Sequence, residues 1–382
     1  MQSKRSGPGR DRALDGLRGL ALILVVVSHG WALWPTSEVS ETTPWGQAMR
    51  SGNLAVTVFL VVGGYLLVRG FLSFPEDASL WDLGRSTLRR VIRIAVPVLV
   101  LVLAVIAVSV LDETDESSPS TTRKSAWAVV TFTWNWYLQN NALEARSDLG
   151  HLWFVSIFLQ STVLLTGLYV VLRRRIWAFL LVVIALLALV IWWRAHLAGQ
   201  DTDTLNMLLR TTTRTDGMLW GALLAGTQRW WGQVRRPANA GLLTGLLVLL
   251  ALMLTVGNSD DYFRWQGQLM ALATALCVGA LVNGASLSRT GRALSTSVLS
   301  WLGRNSLTIY VWHYPTFFFV ARHTGDWNWP SRTAVGLALT AALSYVLVRN
   351  VEQPIGTWLR TWRWTRASSA TAGPVSPRVD PL

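Results

Sequence analysis

A single cysteine, Cys277, in 382 residues excludes an intrachain disulfide and any CxxC metal knuckle, and its place inside an apolar run leaves packing as its role. Lysine is almost as scarce: Lys4 and Lys124 are the only two, so nearly all the positive charge is arginine. Charged residues of every kind make up 14% of the chain against 51% hydrophobic, with a mean hydropathy of +0.36. That shortage of charge excludes the pair of water-soluble domains that the length alone would permit. There is no HExxH, no Cys/His cluster and no carboxylate cage, so neither a metal site nor a resident cofactor is expected. No internal repeat is visible, and no fused soluble domain is expected.

What is there is long and apolar. Runs able to cross a bilayer occupy residues 13–33, 53–73, 91–111, 151–172, 176–193, 206–227, 239–257, 265–285, 297–320 and 332–350. The expected fold is therefore all-α, a polytopic protein of about ten transmembrane helices. A net charge of +13 would suit nucleic acid, but the basic residues sit in short clusters between apolar runs, so no nucleic-acid partner is expected. With the N-terminus cytoplasmic, the inner loops hold Arg85, Arg89 and Arg90, then Arg173 to Arg175, then Arg229, Arg235 and Arg236, then Arg289 and Arg292, with Arg360, Arg363 and Arg366 in the tail. The outer loops hold Glu38 and Glu41, then Asp112, Glu113, Asp115 and Glu116, then Asp201 and Asp203, then Asp260 and Asp261. This alternation predicts N- and C-termini in the cytoplasm. Many of the 22 tryptophans, Trp31, Trp34, Trp192 and Trp193 among them, fall at run ends, as an interfacial belt requires.

Lys4, Arg5, Arg10 and Arg12 precede the first run as in a signal peptide, yet Asp15 and Arg18 interrupt it and no small-residue cleavage site follows, so a retained first helix is expected. The implied organisation is a cytoplasmic segment 1–12, a membrane domain 13–350 and a cytoplasmic tail 351–382, disordered from about residue 367. Residues 125–141 are too short and polar to span and should form an outer-face or re-entrant segment.

Ionisable groups inside a span are costly and need a partner or a role. The first run holds Asp15, Arg18 and His29. Arg18 and His29 are eleven residues apart, which at about 100° per residue returns to nearly the same helix face, about 16 Å deeper in the membrane. Asp15, three residues before Arg18, is spaced to pair with it. A lone intramembrane histidine also serves as a packing residue hydrogen-bonded across a bundle; the in-register arginine favours a functional one. In RRVIRIAVP, residues 89–97, Arg90 and Arg93 share a face at a spacing suited to phosphate oxygens, with a plain cytoplasmic anchor as the competing reading.

Several segments, taken in order, resemble the membrane-bound acyltransferase family 3, whose members O-acylate carbohydrates and related molecules. ALDGLRGLALILVVVSHG, with Arg18 and His29, is similar to its R-x10-H element, and Arg90 to Arg93 to its RxxR element. NLAVTVFLVVGGYLL (53–67), HLWFVS (151–156), RTDGMLWG (214–221), LGRNSLTIYVWHYP (302–315) and VEQP (351–354) resemble further elements. Two places depart from the pattern: Gly63 and Gly64 stand where a Ser-Gly pair is usual, and Ile157, Phe158 and Leu159 where many members carry a glutamate.

The resemblance implies an O-acyltransferase of the plasma membrane that moves an acyl group, acetyl most often, from a cytoplasmic acyl-CoA to a hydroxyl of a carbohydrate or glycosylated acceptor. His29 is the candidate base or acyl carrier, with Arg18 and Asp15 completing the catalytic set. Arg89, Arg90 and Arg93 are candidate clamps for the coenzyme A phosphates. Candidate acceptor contacts are His151 with Trp153, Tyr310 with His313, and Asp216, which is expected to pair with Arg18 or Arg210 or to orient His29. Glu352 is expected to pair with a basic residue such as Arg90, and Gly63 and Gly64 to let helices approach closely or a pantetheine arm pass. A transporter or lipid-linked glycan flippase without acyl transfer is the alternative, since intramembrane charge serves translocation as readily.

Overall fold

The computed structural model describes residues 12–34, 40, 43–75, 77–200, 202–231, 238–255 and 262–361. The expectations for Lys4, Arg5, Arg10, Glu38, Glu41, Asp201, Arg235, Arg236, Asp260, Asp261, Arg363, Arg366 and the tail beyond Thr361 lie outside these described residues. Among the described residues the chain is 87% helix with no strand, the outcome lipid imposes on a backbone that must satisfy its own N–H and C=O groups.

The helices are α1 (Arg12–Leu33), α2 (Pro44–Ser51), α3 (Val56–Leu72), α4 (Leu80–Leu111), α5 (Pro119–Val130), α6 (Trp134–Asn141), α7 (Trp153–Leu172), α8 (Ile176–Gly199) and α9 (Thr204–Leu209). They continue as α10 (Thr211–Arg214), α11 (Asp216–Trp231), α12 (Ala238–Thr255), α13 (Gly267–Val282), α14 (Arg289–Leu294), α15 (Ser297–Arg304), α16 (Ser306–His323), α17 (Trp329–Leu347) and α18 (Gln353–Thr361). Starts carry their own signals. Ser79 and Asp82 form a reciprocal capping box on α4, and Ser118 and Asn328 cap α5 and α17 with proline in the first turn.

Seven stretches are long and apolar enough to cross a membrane: α1, α4, Ser147–Leu172, α8, α12, Tyr262–Val282 and Trp329–Thr361. The α2–α3 pair, bent by 49°, makes an eighth if taken as one span. Trp177, Leu181, Ile184, Leu189 and Trp192 of α8 and Leu243, Leu247 and Leu250 of α12 are exposed. A surface this apolar needs hydrocarbon around it. The last helix does not stop near residue 350: α17 passes through one π turn, Val348–Glu352, into α18.

Two expected runs are broken. The run 206–227 is divided into α9, α10 and α11, with Arg210 in extended conformation. Polar side chains cover the exposed backbone there: Asn135 donates to the Leu209 carbonyl at 2.9 Å, and the Thr213 hydroxyl donates to the carbonyls of Met207 and Arg210. Irregular backbone at membrane depth is tolerable only when protein satisfies it in this way. The run 297–320 breaks at Asn305, between α15 and α16. Residues 125–141 form α5 and α6, of 12 and 8 residues, joined through Phe132 at φ 55° and too short to span.

Glycines set the closest helix contacts. Gly16 of α1 lies against the Leu294 carbonyl, Gly303 of α15 against that of Asp15, Gly64 of α3 against that of Met218, and Gly221 of α11 against that of Val61. Each contact is backbone on backbone, with no flexible side chain to yield, so Gly64 is a packing residue. Gly303→Leu is expected to cost at least ~3 kcal/mol, since overpacking of an unyielding contact falls at the top of the usual range. The measurement is the monodisperse fraction after detergent extraction. Wild-type recovery and melting temperature in that variant would refute the close packing of α1 on α15.

At the end of the bundle where α4 finishes, a buried network ties the loops together. Arg146 bonds Asp148 at 2.6 Å, Asp115 at 2.7 Å and Thr122 at 3.0 Å, while Arg322 reaches Asp115 at 3.2 Å. Burial alone would raise the Asp115 carboxyl, but hydrogen bonds from Arg146 and Ser117 and the guanidinium charge outweigh it and hold it at about 2. A folded value below the ordinary one means stabilisation fully present above about pH 4 and lost as pH falls toward 2. Thermal stability in detergent should accordingly drop between about pH 4 and about pH 2, and Arg146→Met should flatten that limb. An identical acid limb in the variant would assign it to other carboxylates.

Candidate active site

Both polar groups of α1 face α16. The Arg18 guanidinium donates to the Ser306 hydroxyl at 2.8 Å, and His29 Nδ1 lies 2.7 Å from His313 Nε2. Ser306 and His313 are seven residues apart, two turns of one face, so they share a side of α16 as Arg18 and His29, eleven residues and three turns apart, share a side of α1. Asp15 and Arg18 pair at 3.5 Å. The imidazole therefore points into the bundle and not at lipid.

Hydrogen-bond direction follows from the backbone. His313 Nδ1 lies 2.6 Å from the Tyr310 carbonyl, which only accepts, so this nitrogen carries the proton. In a neutral ring Nε2 is then an acceptor, and His29 must donate from Nδ1. That leaves the lone pair of a neutral His29 on Nε2, which bonds no described residue, on a half-buried ring. The Tyr314 ring meets the His29 ring at 61°, with centroids 4.8 Å apart. The His29 tautomer is thus set from α16.

His151 belongs to the same cluster and is buried, not at an open mouth. Its Nε2–H donates to the Val311 carbonyl at 3.1 Å, and its own carbonyl accepts from the Tyr310 hydroxyl at 2.6 Å. The ring centroids of His151 and His313 are 5.4 Å apart. Trp153 is half-buried, with the Arg214 guanidinium 5.7 Å from its ring centre.

A cavity of about 190 Å³ lies beside this cluster, lined by Arg18, Arg90, Arg93, Gly63, Phe158 and Tyr310 among others. Arg90 donates to the Gly63 carbonyl at 3.0 Å and lies 5.5 Å from the centre of the Phe158 ring. Phe158 thus offers the Arg90 guanidinium an aromatic face. Gly63 leaves room there, since a β-carbon would meet the Phe158 ring. Arg89 and His29 are not among the lining residues; Arg18 and Tyr310 connect the cavity to the histidines.

Asp216 is elsewhere. Its carboxylate accepts from Arg194 and, at 2.6 Å, from Gln268, not from Arg18 or Arg210. A buried charge takes the nearest complementary one: Asp216 pairs with Arg194 and is not among the residues lining the cavity. Arg194 also donates to the Tyr262 carbonyl at 2.8 Å, and Arg214 donates to the Tyr262 hydroxyl. Glu352 accepts from the Thr308 hydroxyl at 2.7 Å instead of pairing with Arg90. Sequence reasoning missed Arg194, Ser306 and Tyr314. Arg194 carried a readable signal, an arginine directly after Trp192 and Trp193 at the end of an apolar run. Among the described residues, no three His, Cys, Asp or Glu are grouped to hold a metal ion.

Known proteins resemble this chain along most of its length. The chain is 25% identical over 373 residues to the O-acetyltransferase OatA of Staphylococcus aureus, covering 93% of this chain and 58% of that protein. It is 25% identical over 363 residues to the peptidoglycan O-acetyltransferase OatA of Listeria monocytogenes, covering 90% and 55% respectively. The chain thus spans little more than half the length of these curated relatives. No solved structure matches it. A family model described as an acyltransferase domain matches residues 11–349, which takes in α1 with Arg18 and His29 and nearly all of the bundle. The chain is a multi-pass membrane protein and belongs to the acyltransferase 3 family.

Proposed function

We propose that the chain is an O-acyltransferase of the cell membrane that moves an acyl group, most simply acetyl, from a cytoplasmic acyl-CoA to a hydroxyl of a carbohydrate acceptor. Family membership and relatives named O-acetyltransferase and peptidoglycan O-acetyltransferase support the reaction class and a cell-wall glycan as acceptor. The single observation that carries the reading of the site is the His29 Nε2 lone pair, set by the bond to His313 and left without a partner among the described residues.

In this reading His29 Nε2 takes the hydroxyl proton as the acceptor oxygen attacks the thioester carbonyl. The C–S bond then breaks, and the proton passes to the departing thiolate. Alternatively Nε2 attacks the thioester carbonyl and the C–S bond breaks to release the thiolate; the acceptor hydroxyl then takes the acyl group as the C–N bond breaks, its proton leaving to water, which lets donor and acceptor enter from opposite sides. Arg18 and Asp15 hold the inner part of α1, and Arg90 and Arg93, with Arg89 nearby, meet the anionic donor. Tyr310, His313, His151 and Trp153 form the wall nearest the acceptor. Ten crossings with both termini cytoplasmic fit the charge alternation: α3, α11 and α16, of 17, 16 and 18 residues, add to the seven longer stretches.

The test is purified protein given acetyl-CoA labelled in the acetyl group together with cell-wall glycan fragments. A gain of one acetyl mass on the glycan, absent without protein, is the expected result. Neither transfer nor thioester hydrolysis, with folded protein, would sink the reading.

A further inference from the structure

At the end of the bundle where α3, α7 and α11 finish and α4 and α8 begin, a second cavity of about 950 Å³ is lined by Arg69, Arg173, Arg174 and Arg229, with Tyr169 and Gln228. The arginines come from α3, the α7–α8 turn and α11. None of the four forms an ion pair among the described residues. Three are held by neutral groups. Arg69 lies 5.7 Å from the centre of the Tyr65 ring, whose hydroxyl donates to Gln228 at 2.9 Å. Arg173 donates to the Ala78 carbonyl at 2.6 Å. Arg229 lies 4.2 Å from the Trp230 ring centre and 5.6 Å from that of Trp177.

The tendency of inner loops to be basic accounts for arginines at this end, but not for their convergence from three parts of the chain on one concavity. Nor does it account for rings and carbonyls, instead of carboxylates, holding them. Guanidinium groups so held keep their N–H forks for an incoming anion. Four guanidinium charges with no carboxylate partner among the described residues, around a space in the size range of small-molecule sites, suit a ligand with several phosphate charges.

We propose that this cavity is a phosphate-ester binding site, distinct from the 190 Å³ cavity beside the histidines. Two sources offer that chemistry, the nucleotide end of a coenzyme A thioester and the headgroup of an anionic phospholipid. The geometry relates the two cavities. Arg69 follows Leu66, which lines the smaller one, by three residues on α3, and Tyr169 follows Phe158 by eleven on α7, each step returning to about the same helix face. An elongated donor with phosphates at one end and an acyl thioester at the other would run along those faces; that occupant, unlike the site, rests on the acyl-CoA reading.

The experiment uses the full chain in phosphatidylcholine nanodiscs. Binding of coenzyme A and of adenosine 3′,5′-bisphosphate is measured by calorimetry, and retention of phosphatidylglycerol by native mass spectrometry. The wild type is expected to bind at least one of the two classes. The Arg69→Gln/Arg174→Gln variant is expected to bind it at least tenfold more weakly, with its melting temperature kept. Arg174→Gln alone, at an exposed residue, supplies the same comparison if the double variant is unstable. Saturable nucleotide binding that fails in the variants identifies the donor end as occupant; lipid retention that fails in them identifies the headgroup. Binding of neither class by the wild type, or equal affinities in all variants, overturns the proposal. His29→Ala should keep the wild-type affinity, so a failure of the catalytic reading leaves this result intact.

Discussion

His29→Ala is expected to lower acyl transfer by ~10²- to 10⁴-fold, the range a positioned general base contributes, with the protein still folded. The loss should appear in kcat, because in the proposed reaction the deleted lone pair acts on the reacting hydroxyl. His313 gives the graded control. Its Nε2 accepts from His29 Nδ1, so His313→Ala frees that ring to change tautomer and turn, and a fall of about tenfold in kcat follows from the lost orientation. In His313→Gln the amide oxygen can accept the same hydrogen bond, and activity should recover above the alanine variant. Equal activity in His29→Ala and wild type, on labelled acetyl-CoA, would remove His29 from the chemistry. A glutamine variant no better than alanine at position 313 would remove the tautomer argument.

The largest effect on folding is expected at Asp216. Arg194 and Arg214 are both fully buried, and Asp216 is the carboxylate bonded to Arg194. Asp216→Ala leaves the Arg194 guanidinium buried without its carboxylate, and breaking such a pair costs about 3–5 kcal/mol, a large share of the ~5–15 kcal/mol that keeps a domain folded. Little monodisperse protein should survive extraction. Removing both partners is gentler, because the excess of one positive charge is then the same as in the parent. Arg194→Met/Asp216→Leu should therefore melt higher than Asp216→Ala. The reverse order in a fluorescence melting series would show that the pair does not carry this weight. Arg214, buried with its Nε and one Nη lacking a partner, is the group such a melt would expose.

Part of this architecture could be read before any coordinates. Periodicity sufficed for the helical class and for the shared face of Arg18 and His29, because an eleven-residue interval is a property of one helix. What that face meets is a property of two helices distant in sequence. Nothing local to Ser306 or His313 says that these, and not Tyr310, would meet α1. Hydropathy found the run 206–227 but not its breaks, since it cannot see Asn135 and Thr213 covering the freed carbonyls. Closing the run 176–193 one residue before Arg194 hid the partner of Asp216, and with Arg194 unseen the pairing went to Arg18 or Arg210. The Gly63–Gly64 pair also divided into two roles: Gly64 seats α3 on α11, while Gly63 makes space and offers a carbonyl to Arg90.

The two bonds between α1 and α16, from Arg18 toward one end of α1 and His29 toward the other, have a mechanical result. A rod pinned at two separated points to its neighbour, and seated through Gly16 and Gly303 on bare backbone, can neither roll nor slide without breaking both pins. Widening of the passage beside the histidines therefore falls to the opposite wall, where Arg90 of α4 latches onto a glycine carbonyl and Phe158 of α7 rests against it.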